Sequence, residues 1–227
     1  MTHFDVILPT IARPSLREAV ISVANQTHKN LSLRIAYDGY IGWPEEGEDP
    51  LGWQEALRGT DVRYTVMGLG GKQPRNDYGA YARNHEVRQE LLKSLRGSAE
   101  ELKIDWPEPD PDSWVAYIDD DDEWLPNHLA TIAKLIEDNP GVNMVRTAGQ
   151  SFMMKHKSPR SKKLVRKMGV VNSTDILTVG MAHTRGIFDK TQGWQPCDNH
   201  DHLLWKEMLA AGGKAVVSDA VTFHFRR

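Results

Sequence analysis

Trp114-Val-Ala-Tyr-Ile-Asp-Asp-Asp-Asp-Glu-Trp-Leu-Pro126 is the stretch from which the fold can be read. Its apolar start, Trp114 to Ile118, carries the aromatic and β-branched residues that suit a buried strand. Five acids follow, Asp119, Asp120, Asp121, Asp122 and Glu123. Adjacent carboxylates repel one another and cannot all be buried, so the cluster faces solvent or binds cations. Oxygen ligands with no cysteine beside them suit a hard ion, Mg2+ or Mn2+, that bridges to phosphates; taken alone, the run also reads as a solvated acidic turn. Pro126 fits the first turn of a helix over Asn127 to Asp138, where Leu129, Ile132, Ala133 and Ile136 share one face. Acids between a strand end and a helix start stand where open α/β sheets bind ligands.

Working outward, Phe4 to Leu8 reads as a first strand ended by Pro9. Ser15 and Glu18 form a capping box for a helix with Leu16, Ala19, Val20 and Val23 as its apolar stripe. Leu31 to Tyr37 is a second strand, stopped by Asp38-Gly39. Strand, helix, strand is a βαβ unit and implies a parallel sheet. The spacing then predicts a loop over Tyr40 to Gly52, a short helix at Trp53 to Arg58 and a strand at Val62 to Val66. Gly68 to Gly79, Gly-rich and partly basic, reads either as a phosphate-wrapping loop or as an ordinary turn region. A helix over Ala80 to Leu95 and a polar, proline-bearing segment from Gly97 to Ser113 complete the first half.

Beyond residue 140 the pattern becomes mixed. Val142 to Met154 and Lys163 to Val171 look extended and flank a basic loop, and Met181 to Thr184 is a further short strand. Asp201 to Ala211 reads as a helix stopped by Gly212-Gly213. Val216 to Val217 and Ala220 to Phe225 are strands. At 227 residues, 40% apolar and 26% charged, the chain suits one domain with a core that needs no staples. A net charge of −3 implies no bulk attraction to nucleic acid or anionic lipid; the basic segments Lys155 to Lys167 and Arg226-Arg227 read by default as a solvated face, or else as contacts for a polyanionic acceptor, nucleic acid included. One cysteine, Cys197, excludes an intrachain disulfide and suits a reducing compartment. With no 18-residue apolar run and no basic-then-apolar leader, the expectation is a cytoplasmic protein without a membrane span.

Four matches stand in order: Val6-Ile-Leu-Pro-Thr10, Ala36-Tyr-Asp-Gly39, Ala80-Tyr-Ala-Arg-Asn84 and Tyr117-Ile-Asp-Asp-Asp-Asp-Glu-Trp-Leu-Pro126. Together they resemble the family 2 glycosyltransferases of the GT-A fold, whose acidic signature is the DXD motif. The likeness spans nearly the whole chain and is strongest over its first 130 residues. It implies an α/β fold of GT-A type, a mostly parallel Rossmann-like nucleotide-binding sheet continuous with a smaller mixed acceptor-side region. Residues 1–126 would form the donor half and 127–227 the acceptor half of a single domain. The implied reaction is metal-dependent, inverting transfer of a hexosyl group from a nucleoside diphosphate sugar, UDP-linked by the family pattern. The acceptor would be a hydroxyl of a glycan, a small molecule or a modified nucleic acid.

The resemblance also implies residue roles. Thr10 and Asp38 would hold the nucleoside, although Asp38 also fits simple turn chemistry before Gly39. Arg83 would contact donor phosphate or base, or be one more charged helix residue. The family register takes Asp119 and Asp121 as the DXD pair, Asp119 on the ribose and metal side and Asp121 on Mn2+ or Mg2+. Asp120 and Asp122 are expected to be solvated or to act through a neighbour, with Asp120 also a substitute donor-side residue. A late His224 would add a metal ligand or be an ordinary histidine.

The chain departs from the family pattern at His200-Asp201, which stands where Glu-Asp is usual. Asp201 is the candidate general base, or else a helix cap. His183 and His200 are candidate acceptor-side residues. Two other classes compete: a sugar-phosphate nucleotidyltransferase, and a non-catalytic metal-binding module. The first is expected to open with a Gly-rich loop, where this chain has Pro9-Thr-Ile-Ala-Arg-Pro14.

Overall fold

A computed structural model describes residues 1–38, 51–69, 83, 110–156, 164–172 and 174–226. The expected loop over 40–52 except Leu51 and Gly52, the Gly-rich segment 70–79, the helix of 80–95 except Arg83, and the polar stretch before residue 110 lie outside the described residues. Nine strands form one sheet in the order β3-β2-β1-β4-β8-β6-β9-β5, with β7 pairing to β6 off that path. Strand β1 is Phe4–Thr10, β2 Leu31–Asp38, β3 Arg63–Leu69, β4 Trp114–Tyr117 and β5 Glu123–Trp124. Then come β6 Met144–His156, β7 Leu164–Val171, β8 Met181–Thr184 and β9 Ala215–Arg226. The helices are α1 Leu16–Ala24, α2 Trp53–Leu57, α3 His128–Asp138, α4 Arg185–Phe188 and α5 His200–Ala210.

The four strands β3, β2, β1 and β4 run parallel. Beyond β4 the sheet is mixed: β8 is antiparallel to β4 and β6, while β9 is parallel to β6 and antiparallel to β5. The α/β fold with a Rossmann-like parallel half continuous with a mixed region is therefore the observed one. Alternation decides how the faces are covered. Phe4, Val6, Leu8, Trp114, Ala116 and Ile118 join Leu16, Val20, Val23, Leu129 and Ile132 from α1 and α3 in one core. Ile7, Val115 and Tyr117 point the other way, to Phe188, Trp194, Leu204, Trp205 and Met208.

Several local expectations are corrected. Pro9 does not end β1, which continues to Thr10; β4 pairs only as far as Ile7, so Pro9 lies where β1 has a single neighbour. The Ser15–Glu18 capping box does not form, because Ser15 already has helical angles (φ −75, ψ −10) that remove its side chain from the capping position. Helix α3 starts at His128, leaving Pro126 outside its first turn. The two final strands are one: between Arg146 and Ala148, two residues of β6 advance against four of β9, Val217 to Val221. The polar Ser218-Asp219 that seemed to interrupt the strand sits in that irregularity.

The end of α5 follows its glycines. Gly213 N–H donates to Met208 O at 2.8 Å and Gly212 N–H to Leu209 O at 3.1 Å, a Schellman closure in which Gly212 takes φ +92.

Candidate active site

The acid cluster leaves β4 at the carboxyl end of the parallel strands. The chain leaves β1 for β2 and β3 on one side and returns to β4 on the other, so the crevice between β1 and β4 is the switch point of the sheet. Thr10 ends β1 and Asp38 ends β2 at the same edge.

A turn closed by Asp122 N–H on Asp119 O at 3.0 Å divides the acids. Asp120 and Asp122 are both 1% exposed, whereas Asp119 and Asp121 are partly open. The expectation that Asp120 and Asp122 are solvated is thus reversed, and acting through a neighbour is the alternative left to them. Asp120 accepts from Thr10 Oγ1 at 2.6 Å, from Ile11 N–H at 3.2 Å and from the Arg13 guanidinium. Thr10 Oγ1 accepts in turn from Ala12 N–H at 2.9 Å, and Ala12 is held at φ +62, a left-handed conformation unusual for a residue with a Cβ. The first loop is therefore tied to the acids by Asp120, and the Thr10 hydroxyl is committed to that tie.

Asp119 accepts from the Arg83 guanidinium. Asp121 stands 3.9 Å from Arg13 Nη1. Burial pushes the Asp121 carboxyl up, with repulsion from Asp119 and Asp120 adding to it and Arg13 opposing. Asp122 is pushed well up, first by burial and then by the charge of Asp119. Its Oδ1 accepts from Arg226 N–H at 3.0 Å, while its buried Oδ2 has no hydrogen-bond partner among the described residues. Across the β5–β9 pair, His224 lies opposite Glu123 with Nδ1 3.6 Å from Oε2.

Residues far away in sequence fix this segment. Gln26, fully buried, donates to Leu125 O at 2.8 Å and accepts from Leu129 N–H at 2.9 Å. Ser22 Oγ accepts from Trp124 N–H at 3.1 Å. The C-terminal end of α1 therefore sets where the acids stop and α3 begins.

A line of contacts leads from the acids to α5. Arg83 pairs with Asp119 and lies over the Trp194 ring at 4.9 Å. Trp194, 1% exposed, meets His200 at 5.4 Å and Tyr117 edge-on at 5.1 Å between ring centroids. His200 Nδ1–H donates to Cys197 O at 2.9 Å, and its Nε2 is 3.8 Å from Asp201 Oδ1. Asp201 is the second residue of α5, after Asn199 at the cap, and does not cap that helix. Its Oδ2 instead accepts from Thr178 N–H at 3.1 Å and Thr178 Oγ1 at 3.3 Å.

His183 is fully enclosed: Tyr117 O–H donates to its Nε2 at 2.7 Å, its Nδ1–H donates to Thr184 O at 2.9 Å, and it stacks on Phe188. Burial pushes it down to about 4, so it is a neutral core histidine with no surface turned to an acceptor. The Asp38 side chain is outside the described set.

Oxygen donors plus one imidazole suit Mn2+ or Mg2+, and a buried carboxylate oxygen without a partner fits a place for such a cation. Among the described residues, however, no three His, Cys, Asp or Glu side chains already converge as a metal cage. The two arginines take up Asp119 and Asp120 instead. Sequence reasoning missed Arg13, Gln26 and Trp194, none of which belongs to a spaced motif; each acts through a partner more than 90 residues away.

A parallel sheet of order 3-2-1-4, a mixed extension and acids at the switch point define a GT-A-like fold, the fold of glycosyltransferases. Solved structures carry this conclusion. TarS from S. aureus matches with a TM-score of 0.62 at 13% identity, over 99% of this chain and 60% of that one. TarS in complex with UDP-GlcNAc gives 0.58 at 14%, over 100% and 59%. The mannosyltransferase PcManGT from Pyrobaculum calidifontis, in complex with GDP-Man and Mn2+, gives 0.58 at 14%, over 98% and 56%. The chain thus spans about 60% of the TarS chain that it matches. No protein-family model matches the sequence, and no curated protein matches it. No helix among the described residues is long and apolar enough to cross a membrane.

Proposed function

We propose that the protein is an inverting hexosyltransferase of the family 2 type. It moves a sugar from a nucleoside diphosphate sugar, UDP-linked by preference, to a hydroxyl acceptor with Mn2+ or Mg2+ as cofactor. Residues 1–227 act as one catalytic domain, with the donor held by 1–126 and the acceptor by 127–227. The observation that carries this reading is the position of Asp119 to Asp122 at the switch point of a GT-A-like sheet, with one buried Asp122 oxygen unpartnered.

Asp119, Asp121 and His224 are the proposed metal ligands, with Asp122 added. A bound divalent ion would offset the charge that grows on the diphosphate leaving group. Thr10 and Asp120 shape the loop against which the nucleoside lies, Asp38 accepts from the base, and Arg83 binds phosphate. The acceptor oxygen attacks the anomeric carbon as the bond from that carbon to the phosphate oxygen breaks. The nucleoside diphosphate leaves, and the hydroxyl proton passes to Asp201, whose Oδ1 is not taken by Thr178. One such displacement inverts the anomeric centre. His200, 3.8 Å away, orients the acceptor side. The lone Cys197 fits a reducing, cytoplasmic setting.

The test is product analysis with UDP-GlcNAc and GDP-mannose, Mn2+ present, and a panel of hydroxyl acceptors including water. Nucleoside diphosphate release supports the proposal, pyrophosphate release makes the protein a nucleotidyltransferase, and metal binding without turnover makes it a binding module. Competition among UDP, GDP, ADP and CDP reads the base, and a purine preference removes the uridine assignment.

A further inference from the structure

The acid cluster is neutralised from within. Arg13 bonds Asp120 and Arg83 bonds Asp119, and both arginines arrive from outside the motif. They differ in mounting. The Arg13 side chain is about half exposed, on a loop. Arg83 is 2% exposed, its guanidinium 4.9 Å above an indole that is itself wedged between Tyr117 and His200. A flat cation on an aromatic face has its approach fixed by that face while its edge N–H groups stay directed at the partner.

A divalent ion that uses Asp119 must compete with this resident guanidinium. A diphosphate, by contrast, offers the same guanidinium a bidentate anion of higher charge than a carboxylate. Next to the pair stands Asp122 Oδ2, buried and without a hydrogen-bond partner among the described residues, a second oxygen that a divalent cation could reach.

We propose that Arg83 is a transferable counter-ion positioned by Trp194. It occupies Asp119 while the donor is absent and passes to the diphosphate when the donor arrives, releasing Asp119 to the divalent cation. The proposal rests on the donor-site reading above and deepens it, since it makes metal and diphosphate binding mutually dependent through one residue. By linkage, each ligand then raises the affinity for the other by the same factor.

Mn2+ uptake measured by electron paramagnetic resonance, with no sugar donor and no turnover, tests this. Wild-type protein should take up Mn2+ weakly alone and more tightly with UDP or GDP present. Arg83→Gln removes the competitor, so Mn2+ alone should bind about ten- to a hundredfold more tightly, the worth of one charge-assisted bond. The tightening by diphosphate should then largely vanish. Trp194→Leu should move both quantities the same way, and Trp194→Phe, which restores a flat ring, should return them towards wild type. If circular dichroism shows Arg83→Gln unfolded, Arg83→Lys carries the test; it keeps the charge but loses the fork, and should give a severalfold gain. Arg83 variants that bind Mn2+ alone no better than wild type, or keep the full diphosphate effect, overturn the counter-ion role. Absence of diphosphate-dependent Mn2+ uptake in every protein, wild type included, overturns the donor-site reading and this proposal with it.

Discussion

Gly149→Ala tests how the mixed half of the sheet is locked to the acids. Phe223 on β9 sits opposite Trp124 of β5 and is buried to 1% exposure. Its ring lies directly on Gly149 of β6, where an added Cβ would stand 2.5 Å from Cδ2 and 2.6 Å from Cζ. On another side, a Cβ at Gly180 would stand 2.5 Å from Cε1 and 3.0 Å from Cζ. The ring is therefore clamped between two bare backbones, and a methyl at Gly149 overlaps it by about 1 Å. Overpacking of this kind costs about 1–3 kcal/mol, and the clamp puts Gly149→Ala near the upper end.

For a chain of this length that is a fall in Tm of roughly 6–12 °C. Phe223→Leu alone should cost about 1–2 kcal/mol in lost burial. The double variant should be more stable than the sum of the two by at least about 1 kcal/mol, because the leucine leaves room for the methyl. Urea titration with an unchanged m-value measures all three. Strict additivity, or a Gly149→Ala loss below about 0.5 kcal/mol, would refute the clamp.

Three other outcomes are expected. His128 is fully buried, stacked on Trp124 with its Nδ1 2.8 Å from Thr222 Oγ1, and burial holds it down at about 3 against 6.5 unfolded. The folded state therefore takes no proton there while the unfolded state does below pH 6.5, so this contribution is lost as pH falls from 6.5 towards 3. Between pH 7 and 5 the stability gap between wild type and His128→Asn should shrink by about 2 kcal/mol, read from urea midpoints at each pH.

Asp5 accepts from Arg185 at 2.6 Å in a buried pair, with Arg34 3.5 Å from its other oxygen; Asp5→Asn should cost about 3–5 kcal/mol, read from thermal melts, by removing the carboxylate charge that both guanidiniums face. Asp201→Asn should leave folding and Mn2+–diphosphate binding near wild type and lower kcat by roughly two to four decades; full turnover in that variant removes Asp201 as the base.

The parallel half was legible because Val6 to Leu8 and Trp114 to Ile118 are apolar runs, and because Leu31, Leu33 and Ile35 alternate with Ser32 and Arg34 before the turn pair Asp38-Gly39. The acids were legible as a candidate site but not as a geometry. Four adjacent aspartates fix an alternation without saying which face is inside, and Asp120 and Asp122 proved to be the buried pair. Two-residue β5 was unreadable, since Glu123-Trp124 is a strand only because β9 runs beside it. His183 looked like a site residue because the sequence records its chemistry and not the Phe188 ring stacked on it. The Arg83–Trp194 contact joins positions 111 residues apart, and no local pattern encodes such a pairing.

The strand that completes the acid cluster is also the one synthesised last among the described elements. Asp122 receives its backbone donor from Arg226, 104 residues later in the chain, and β5 exists only against Phe223 and His224. At a translation rate of about 5–20 residues per second, that separation is a delay of roughly 5–20 seconds. During it β1, β2, β4 and the carboxylates are already made, while the strand that flanks Asp122 and Glu123 is missing. A nascent chain stalled before residue 222 would therefore carry β1, β2, β4 and the four aspartates without the strand that flanks them.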